Sequence, residues 1–348
     1  MATLKSRLLS VGLGLSLMGA GMAQALECSP VSSWSLQWER PLPRQGRAGD
    51  TIGGFSAIAY GHRERQLWLL SDLPQAELSL WGWPSPSGSP RLLRQRPINS
   101  GDGGALDGEG MVLAGDQLWM ASEGRRTPER PPGLLRVNLR DGRTLQTVPL
   151  PPDWQAAPGV GLASNAGPES LTQLPTPGNS LELLMAAERP LLQDPTDQVR
   201  LLRWWWPAGR AAADAPQASP QGWLQLPEPQ KGQGAWALTD LLALPRPAGQ
   251  GQRLLALLRR FTPPQQWENH LALYPLPAPG ERAAALQVWD LQAAGLTPDN
   301  WEGLALGPPQ QQGGASLLLV SDDNLNPLQS SLLALITPKP PHACLTSP

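Results

Sequence analysis

Residues 107–113 (DGEGMVL) and 117–123 (QLWMASE) decide the fold, because the same pattern occurs at 54–60 (GFSAIAY) and 66–72 (QLWLLSD). A run of small and apolar residues is followed by a second apolar run that ends at a charged residue. The pattern recurs with first runs at 168–171, 239–242 and 301–304 and second runs at 183–188, 254–259 and 317–322. The equivalent positions, which lie 53, 60, 71 and 62 residues apart, are Ser56, Glu109, Glu169, Asp240 and Glu302. This spacing is typical of four-stranded propeller blades.

Further apolar runs supply the other strands of each blade. The first four units continue with 78–83 and 92–98, 134–139 and 145–150, 199–206 and 223–226, and 271–276 and 286–291. The fifth unit continues only with 332–336, and residues 34–39 can supply its outer strand, which closes the ring and removes exposed sheet edges. The sequence therefore predicts an all-β propeller of five blades closed by the N-terminal strand. The alternatives are six blades, with a degenerate unit between Glu169 and Asp240, and a β-sandwich, which explains neither the repeat nor the terminal cysteines.

Composition and missing motifs exclude several classes of protein. The 348 residues include 36 Gly and 40 Pro, a density that favours short strands over long helices. The net charge is −2 without a block of like charge, so nucleic-acid binding is not expected. The chain has only three His and two Cys, and because these are the usual ligands of zinc, a zinc site is not expected. The motifs of serine hydrolases, P-loop NTPases and zincin proteases do not occur.

Residues 1–25 have the features of a cleavable signal peptide: a basic start, an apolar run and a small-x-small end at 23–25. We therefore expect a single domain over residues 26–348 in a periplasmic or secreted protein. No later segment is long and apolar enough to predict a membrane span. Cys28 and Cys344 lie at the two ends of this domain, and in an oxidising compartment they are predicted to form a disulfide. The alternative is a pair of unpaired terminal thiols.

Acidic residues recur at the ends of the two inner strands of the units. Those that open the innermost strands are Glu109, Glu169, Asp240 and Glu302, and those that close the second strands are Asp72, Glu123, Glu188, Asp322 and Asp323. Because these two strands form an antiparallel hairpin, the start of the first and the end of the second lie at the same end. All of these carboxylates are therefore expected around one mouth of the central channel.

Carboxylates that converge without matching cations require either a bound cation or raised pKa values. Oxygen ligands suit a hard metal such as Ca²⁺, and the predicted ligands are Glu109, Glu169, Asp240, Glu302 and Asp322. Arginines that could hold an anionic group of a substrate follow the second strands: Arg125, Arg126, Arg189, Arg259 and Arg260. The alternative is that each acidic residue accepts backbone N–H bonds in a turn that is copied with the blade.

Five motifs in order resemble the phytase-like family described as having esterase-like activity. They are residues 53–56 (GGFS), 107–110 (DGEG), 165–170 (NAGPES), 299–303 (DNWEG) and 318–324 (LLVSDDN). The resemblance covers nearly all of residues 26–348. It implies an exported bacterial β-propeller that hydrolyses phosphate or carboxylic esters, with Ca²⁺ as the metal by analogy with propeller phytases. One departure is at Leu257-Leu258-Arg259, where relatives tend to have Leu-Glu-Arg, so this chain keeps the arginine and lacks the carboxylate.

The leading hypothesis is a Ca²⁺-dependent hydrolase of small-molecule esters. Glu109 or Glu169 would act as the general base, since each heads an innermost strand beside a small residue, and Arg259 would hold an anionic group. One alternative is a non-catalytic propeller that binds a partner or a glycan. Another is an enzyme similar to the propeller lactonases that act on sugar lactones.

Overall fold

The computed structural model describes residues 31–340, except 47–48, 74–75, 85–87, 102–105, 125–130, 177–179, 208–213, 229–230, 246–249, 265 and 311–314. Regular secondary structure in this part of the chain consists of strands alone. No helix within it is long and apolar enough to cross a membrane. The predicted signal peptide, Arg125, Arg126, Cys28 and Cys344 lie outside the described residues.

The strands form five sheets, and each sheet begins with a strand at the channel and continues outward. The first blade consists of β2 (Phe55–Gly61), β3 (Gln66–Ser71), β4 (Glu77–Gly82) and β5 (Arg91–Pro97). The second consists of β6 (Gly108–Ala114), β7 (Gln117–Ser122), β8 (Gly133–Asn138) and β9 (Thr144–Pro149). The third consists of β10 (Ser170–Gln173), β11 (Glu182–Ala186), β12 (Gln198–Trp205) and β13 (Gln217–Gln225). The fourth consists of β14 (Trp236–Ala243), β15 (Arg253–Thr262), β16 (Gln266–Pro275) and β18 (Gln287–Asp290), and the fifth of β19 (Trp301–Leu306), β20 (Leu317–Ser321), β21 (Leu332–Lys339) and β1 (Ser33–Pro41).

These sheets confirm the predicted five-bladed propeller. The first strands of neighbouring blades contact one another in a closed ring, from β2 through β6, β10, β14 and β19 back to β2. The stretch between Glu169 and Asp240 contains the strands of one blade, so the six-bladed alternative is wrong.

The ring closes through the N-terminal strand, as predicted. β1 pairs antiparallel with β21, with Ser33 opposite Lys339 and Pro41 opposite Leu332. The two ends of the described chain therefore lie side by side, and the Cys28–Cys344 disulfide stays a prediction. One strand was not predicted: β17 (Arg282–Ala283), from the fourth blade, pairs in parallel with β13 of the third.

The hydrophobic core lies between the blades and consists of five clusters, one at each contact between neighbouring blades. At the contact of the fourth and fifth blades, for example, Leu257 of β15 and Leu319 of β20 are fully buried in one cluster. Burial of both faces of each inner sheet explains the continuous apolar runs in the sequence. The core thereby fixes the angular position of each blade around the channel.

A β-bulge interrupts the first hairpin in four of the five blades. The bulged residues are Ser56, Glu109 with Gly110, Thr239 and Glu302. A bulge adds one residue to a strand and changes the direction in which its side chain points. The bulges thus set which side chains of the innermost strands face the mouth of the channel.

Gly110 lies where two innermost strands approach too closely for a side chain. A Cβ at this position would lie 2.6 Å from the backbone carbon of Ser170 in the next blade. Since backbone atoms cannot turn aside, Gly110→Ala is expected to lower the free energy of unfolding by about 2 kcal/mol. Gly251→Ala is the matched control, because nothing lies within 4 Å of its Cβ position. Urea unfolding of both variants measures the difference, and an equal loss would contradict this packing.

Candidate functional site

The second strands of the blades place a charged residue at one shared position around the channel mouth. The backbone N–H groups of Asp72, Glu123, Glu188 and Asp322 donate to the carbonyls of Gly54, Asp107, Gly167 and Asn300, at 2.8 to 3.1 Å. In the fourth blade the equivalent residue is Arg259, which is paired with Ala237. Four blades thus contribute a carboxylate at this position, and the fourth blade contributes an arginine.

The innermost strands add a second level of side chains. Glu109, Glu169 and Glu302 occupy equivalent positions in the second, third and fifth blades, within one residue of the strand start. Ser56 and Thr239 occupy this position in the other two blades. Their hydroxyls donate to the carbonyls directly before Glu109 and Glu302, with Ser56 bound to Gly108 (2.5 Å) and Thr239 to Trp301 (3.0 Å). The hydroxyl of one blade thereby holds the backbone that carries the glutamate of the next.

Asp240 does not open its strand as predicted, because β14 begins at Trp236 and the bulge lies at Thr239. Its carboxylate accepts the backbone N–H of Leu241 (2.7 Å) and of Leu304 (2.6 Å). It lines a separate, largely apolar cavity of about 270 Å³ at the other end of the innermost strands. The structure therefore does not bring Asp240 together with the other predicted ligands.

The remaining acidic residues converge on one cavity of about 520 Å³, which we call the carboxylate cavity. Its acidic lining residues are Asp72, Asp107, Glu109, Glu123, Glu169, Glu188, Glu302 and Asp322. Arg189 and Arg259 are the cationic residues that line it, among the described part of the chain. Eight carboxylates thus face two guanidinium groups.

Asp323 and Arg260, which were predicted to follow second strands near the channel mouth, do not line the carboxylate cavity. Asp323 accepts the N–H of Gly54 (3.0 Å) and lies 3.5 Å from the guanidinium of Arg44, so it holds the first and fifth blades together. Arg260 pairs with Glu268 and stacks on Trp236. Both residues have structural partners rather than a place in the site.

Arg259 is the central cation of the carboxylate cavity. Its guanidinium donates to Glu302 (2.5 Å), to Glu188 (2.9 Å) and to the side-chain oxygen of Asn300. Asn300 in turn donates from Nδ2 to Glu302 and to Asp322, both at 3.0 Å. Arg259 and Asn300 therefore fix the positions of carboxylates from the third and fifth blades.

Burial and mutual repulsion favour the neutral forms of several acids in the cavity. Burial, followed by the charge of Glu302, raises the pKa of Asp72 to about 7 and that of Asp322 to about 9. Burial raises the pKa of Glu302 as well, although Arg259 opposes this shift. A cation entering the cavity would reverse this balance, because it would favour the charged carboxylates.

Glu109 and Glu169 form a directly interacting pair. Burial is the main cause that raises the pKa of each well above its usual range, and the next cause is a neighbouring carboxylate, Glu169 for Glu109 and Glu188 for Glu169. A side-chain hydrogen bond between Glu109 and Glu169 opposes the rise in the pKa of Glu169. The two carboxyl groups therefore titrate as a unit.

Asp107, Glu109 and Glu123 offer a set of ligand atoms for one cation. One carboxylate oxygen of each lies within 4.8 Å of the others. A set of oxygens alone suits a hard cation such as Ca²⁺, which accepts carboxylates at flexible geometry. The donor chemistry of this triad thus fits calcium, although only Glu109 of the triad was among the predicted ligands. Asp107 was missed, and its position two residues before Glu109 is the signal that could have identified it.

Removing the charge of Arg259 should destabilise the fold. Because Arg259→Gln leaves Glu302 without its cation and Glu188 with only the exposed Arg189, we expect a loss of about 3 kcal/mol at pH 8 in chelator. Arg203→Gln is the matched control, since the Arg203–Glu182 pair is partly exposed and should contribute about 1 kcal/mol at most. Equal losses in denaturant unfolding would contradict the central position of Arg259.

Comparison with known proteins identifies one family. Residues 50–325 match the family described as "Phytase-like: Esterase-like activity of phytase", which confirms the resemblance carried by the five motifs. No curated protein matches the chain.

Among solved structures, an alpha-L-arabinofuranosidase from Podospora anserina is 10% identical, with a TM-score of 0.45 and coverage of 89% of this chain and 98% of that one. The Pan2 WD40 domain of Neurospora crassa is also 10% identical, with a TM-score of 0.37 and coverage of 92% and 99%. Likeness at this level carries no argument about function.

Proposed function

This chain belongs to the phytase-like family with esterase-like activity of phytase, and we propose that it hydrolyses phosphate or carboxylic esters with the help of calcium. The observation that supports the proposal most directly is the carboxylate cavity, where eight acidic side chains from four blades line one space. Such a concentration of acids is costly to the fold unless a ligand uses it. As part of the proposal, the enzyme acts in the periplasm or outside the cell.

Asp107, Glu109 and Glu123 are the residues that would hold the cation. Their oxygens already lie within 4.8 Å of one another, and Glu109 and Glu123 are largely buried. The chemistry that calcium supplies when bound is positive charge, which polarises the oxygens of an ester or phosphate group. Glu302 and Asp322, predicted as ligands from the sequence, lie in the same cavity, where Asn300 bridges them.

Glu169 is the general base in this proposal. It lies beside the triad as the hydrogen-bond partner of Glu109, and it precedes Ser170 at the start of β10. Glu169 takes a proton from a water molecule whose oxygen forms a bond to the phosphorus or acyl carbon. The bond from that atom to the leaving oxygen breaks, and the leaving oxygen takes up a proton from solvent.

The two arginines of the cavity have different roles. Arg189 is exposed and lies 3.6 Å from Glu188, so it can turn towards an anionic group of the substrate. Arg259 was predicted to hold that group, but its donors already bind Glu188, Glu302 and Asn300. We therefore assign Arg259 the positioning of these groups and Arg189 the contact with the substrate's anion.

The proposal is tested by phosphatase and esterase assays on purified protein, with calcium and with chelator. We expect hydrolysis of at least one ester type that requires calcium and is lost in chelator. Inactivity on both ester types in calcium would refute the proposal. If calorimetry then detected a bound glycan or partner, the non-catalytic alternative would replace it, and turnover of a sugar lactone alone would support the lactonase alternative.

A further inference from the structure

The second hairpin of the fourth blade, formed by β15 and β16, extends beyond those of the other blades at the mouth of the carboxylate cavity. β15 and β16 have ten residues each, whereas the second strands of the other blades have five or six. The other second strands end one or two residues before the charged position that Arg259 occupies within β15. β15 continues beyond this position as far as Thr262, which pairs with Gln266. The extension consists of residues 260–262 of β15 and 266–268 of β16, and it forms one side of the cavity, which we call the wall.

This wall presents two aromatic side chains to the cavity. Phe261 and Trp267 lie opposite each other on the two strands, and their ring centroids are 4.5 Å apart with the planes inclined by 41°. Both line the carboxylate cavity, and neither belongs to the five core clusters. Phe261 is 39% exposed, which is unusual in a chain that has only two phenylalanines and buries the other, Phe55. We call these two side chains the aromatic pair.

Several contacts hold the aromatic pair in place. Arg260 forms a two-pronged ion pair with Glu268 on the far side of the wall. The N–H of Gly234 donates to the hydroxyl of Thr262 at 3.1 Å. The guanidinium of Arg259 lies 5.8 Å from the centre of the Trp267 ring, so a cation–π contact joins the aromatic pair to the carboxylates. The pair is thus a preorganised surface, which limits the entropy lost when a ligand binds to it.

We propose that the aromatic pair binds an aromatic ring of the substrate, so that the site prefers aryl esters over alkyl esters. This inference rests on the proposed function, because it assigns the carboxylate cavity to the ester group. Offset or edge-to-face packing against Phe261 and Trp267 suits a flat ring, and such contacts add to the burial of the ring itself. The neighbouring lining residues Gly234, Ala235 and Pro263 offer no side-chain hydrogen bonds, so this wall suits an aryl ring better than the hydroxyl-rich ring of a sugar.

Equilibrium binding of two non-hydrolysable anions tests the preference. Phenylphosphonate and methylphosphonate carry the same charged group, and only the first has a ring. By titration calorimetry in calcium, we expect phenylphosphonate to bind at least about 10-fold more tightly. Phe261→Leu and Trp267→Leu should reduce this ratio to about twofold, because leucine keeps apolar volume without a ring. Trp223→Leu, a tryptophan on the outer strand β13, is the control that should keep the full ratio, and thermal unfolding verifies that each variant is folded.

Three results would overturn this inference. They are equal affinity for the two phosphonates, binding of neither, and a ratio of affinities that stays unchanged in Phe261→Leu and Trp267→Leu. The assay also separates it from the proposed function. Tighter binding of phenylphosphonate without turnover of any ester would uphold the aromatic pair and refute the hydrolase. Turnover of esters without tighter binding of phenylphosphonate would uphold the hydrolase and refute the aromatic pair as the surface that binds a ring.

Discussion

Glu169→Gln is expected to lower kcat for ester hydrolysis by about 10²–10⁴-fold, the range by which general base catalysis contributes. Glutamine keeps the size and the hydrogen-bonding capacity of the side chain but cannot accept the proton of the attacking water. Glu169 is hydrogen-bonded to Glu109, and because an amide can still take part in that bond, the fold should survive. Initial rates over a range of ester concentrations separate kcat from KM.

Glu182→Gln is the matched control for this measurement. Glu182 lies in the same blade but pairs with Arg203 outside the carboxylate cavity, so its variant should keep the wild-type kcat. If Glu169→Gln retained more than about a tenth of the wild-type kcat while binding calcium normally, Glu169 would not be the base.

The second large effect expected is a loss of stability as pH rises in the cation-free protein. The folded-state pKa values of Asp72 and Asp322, about 7 and about 9, lie above their ordinary value of 3.8. Between pH 4 and these values the folded protein retains protons that the unfolded chain releases, so the free energy of unfolding falls as pH increases. We expect Tm in chelator to be at least about 5 °C lower at pH 9 than at pH 5.

Calcium should remove this pH dependence, because a bound cation stabilises the charged carboxylates. Asp322→Asn should weaken the dependence of Tm on pH in chelator, since it removes one titrating group. Asp116→Asn, at an exposed position in the turn after β6, is the control and should leave this dependence unchanged. A Tm in chelator that rises between pH 5 and pH 9 would contradict the electrostatic account of the cavity.

The fold was predictable from the sequence because each blade repeats one strand pattern. The runs that begin at Gln66 and Gln117 have nearly the same residues, and both fold as the second strand of a blade. Closure by the N-terminal strand was predictable because the fifth unit lacked a strand. β17 was not predictable, since a two-residue strand has no periodicity of its own.

The site was predictable in part, and the errors of the prediction have physical causes. Glu109, Glu169, Glu302, Asp322 and Arg259 do line one cavity, because their positions follow from the repeat itself. Asp240 was misplaced by one residue because a bulge at Thr239 shifts the register, and a shift of one residue moves a side chain to the other face. The aromatic pair was missed because the longer hairpin of the fourth blade departs from the repeat that guided the prediction.

The central claim is that the acidic carboxylate cavity holds a cation at Asp107, Glu109 and Glu123, and a calorimetric titration of cation-free protein with calcium at pH 7.5 tests it most directly. The account predicts saturable binding with release of protons, detected as a heat that depends on the buffer's ionisation enthalpy, and strong weakening by Glu109→Gln. Absence of binding up to millimolar calcium, or equal binding by the wild type and Glu109→Gln, would contradict it.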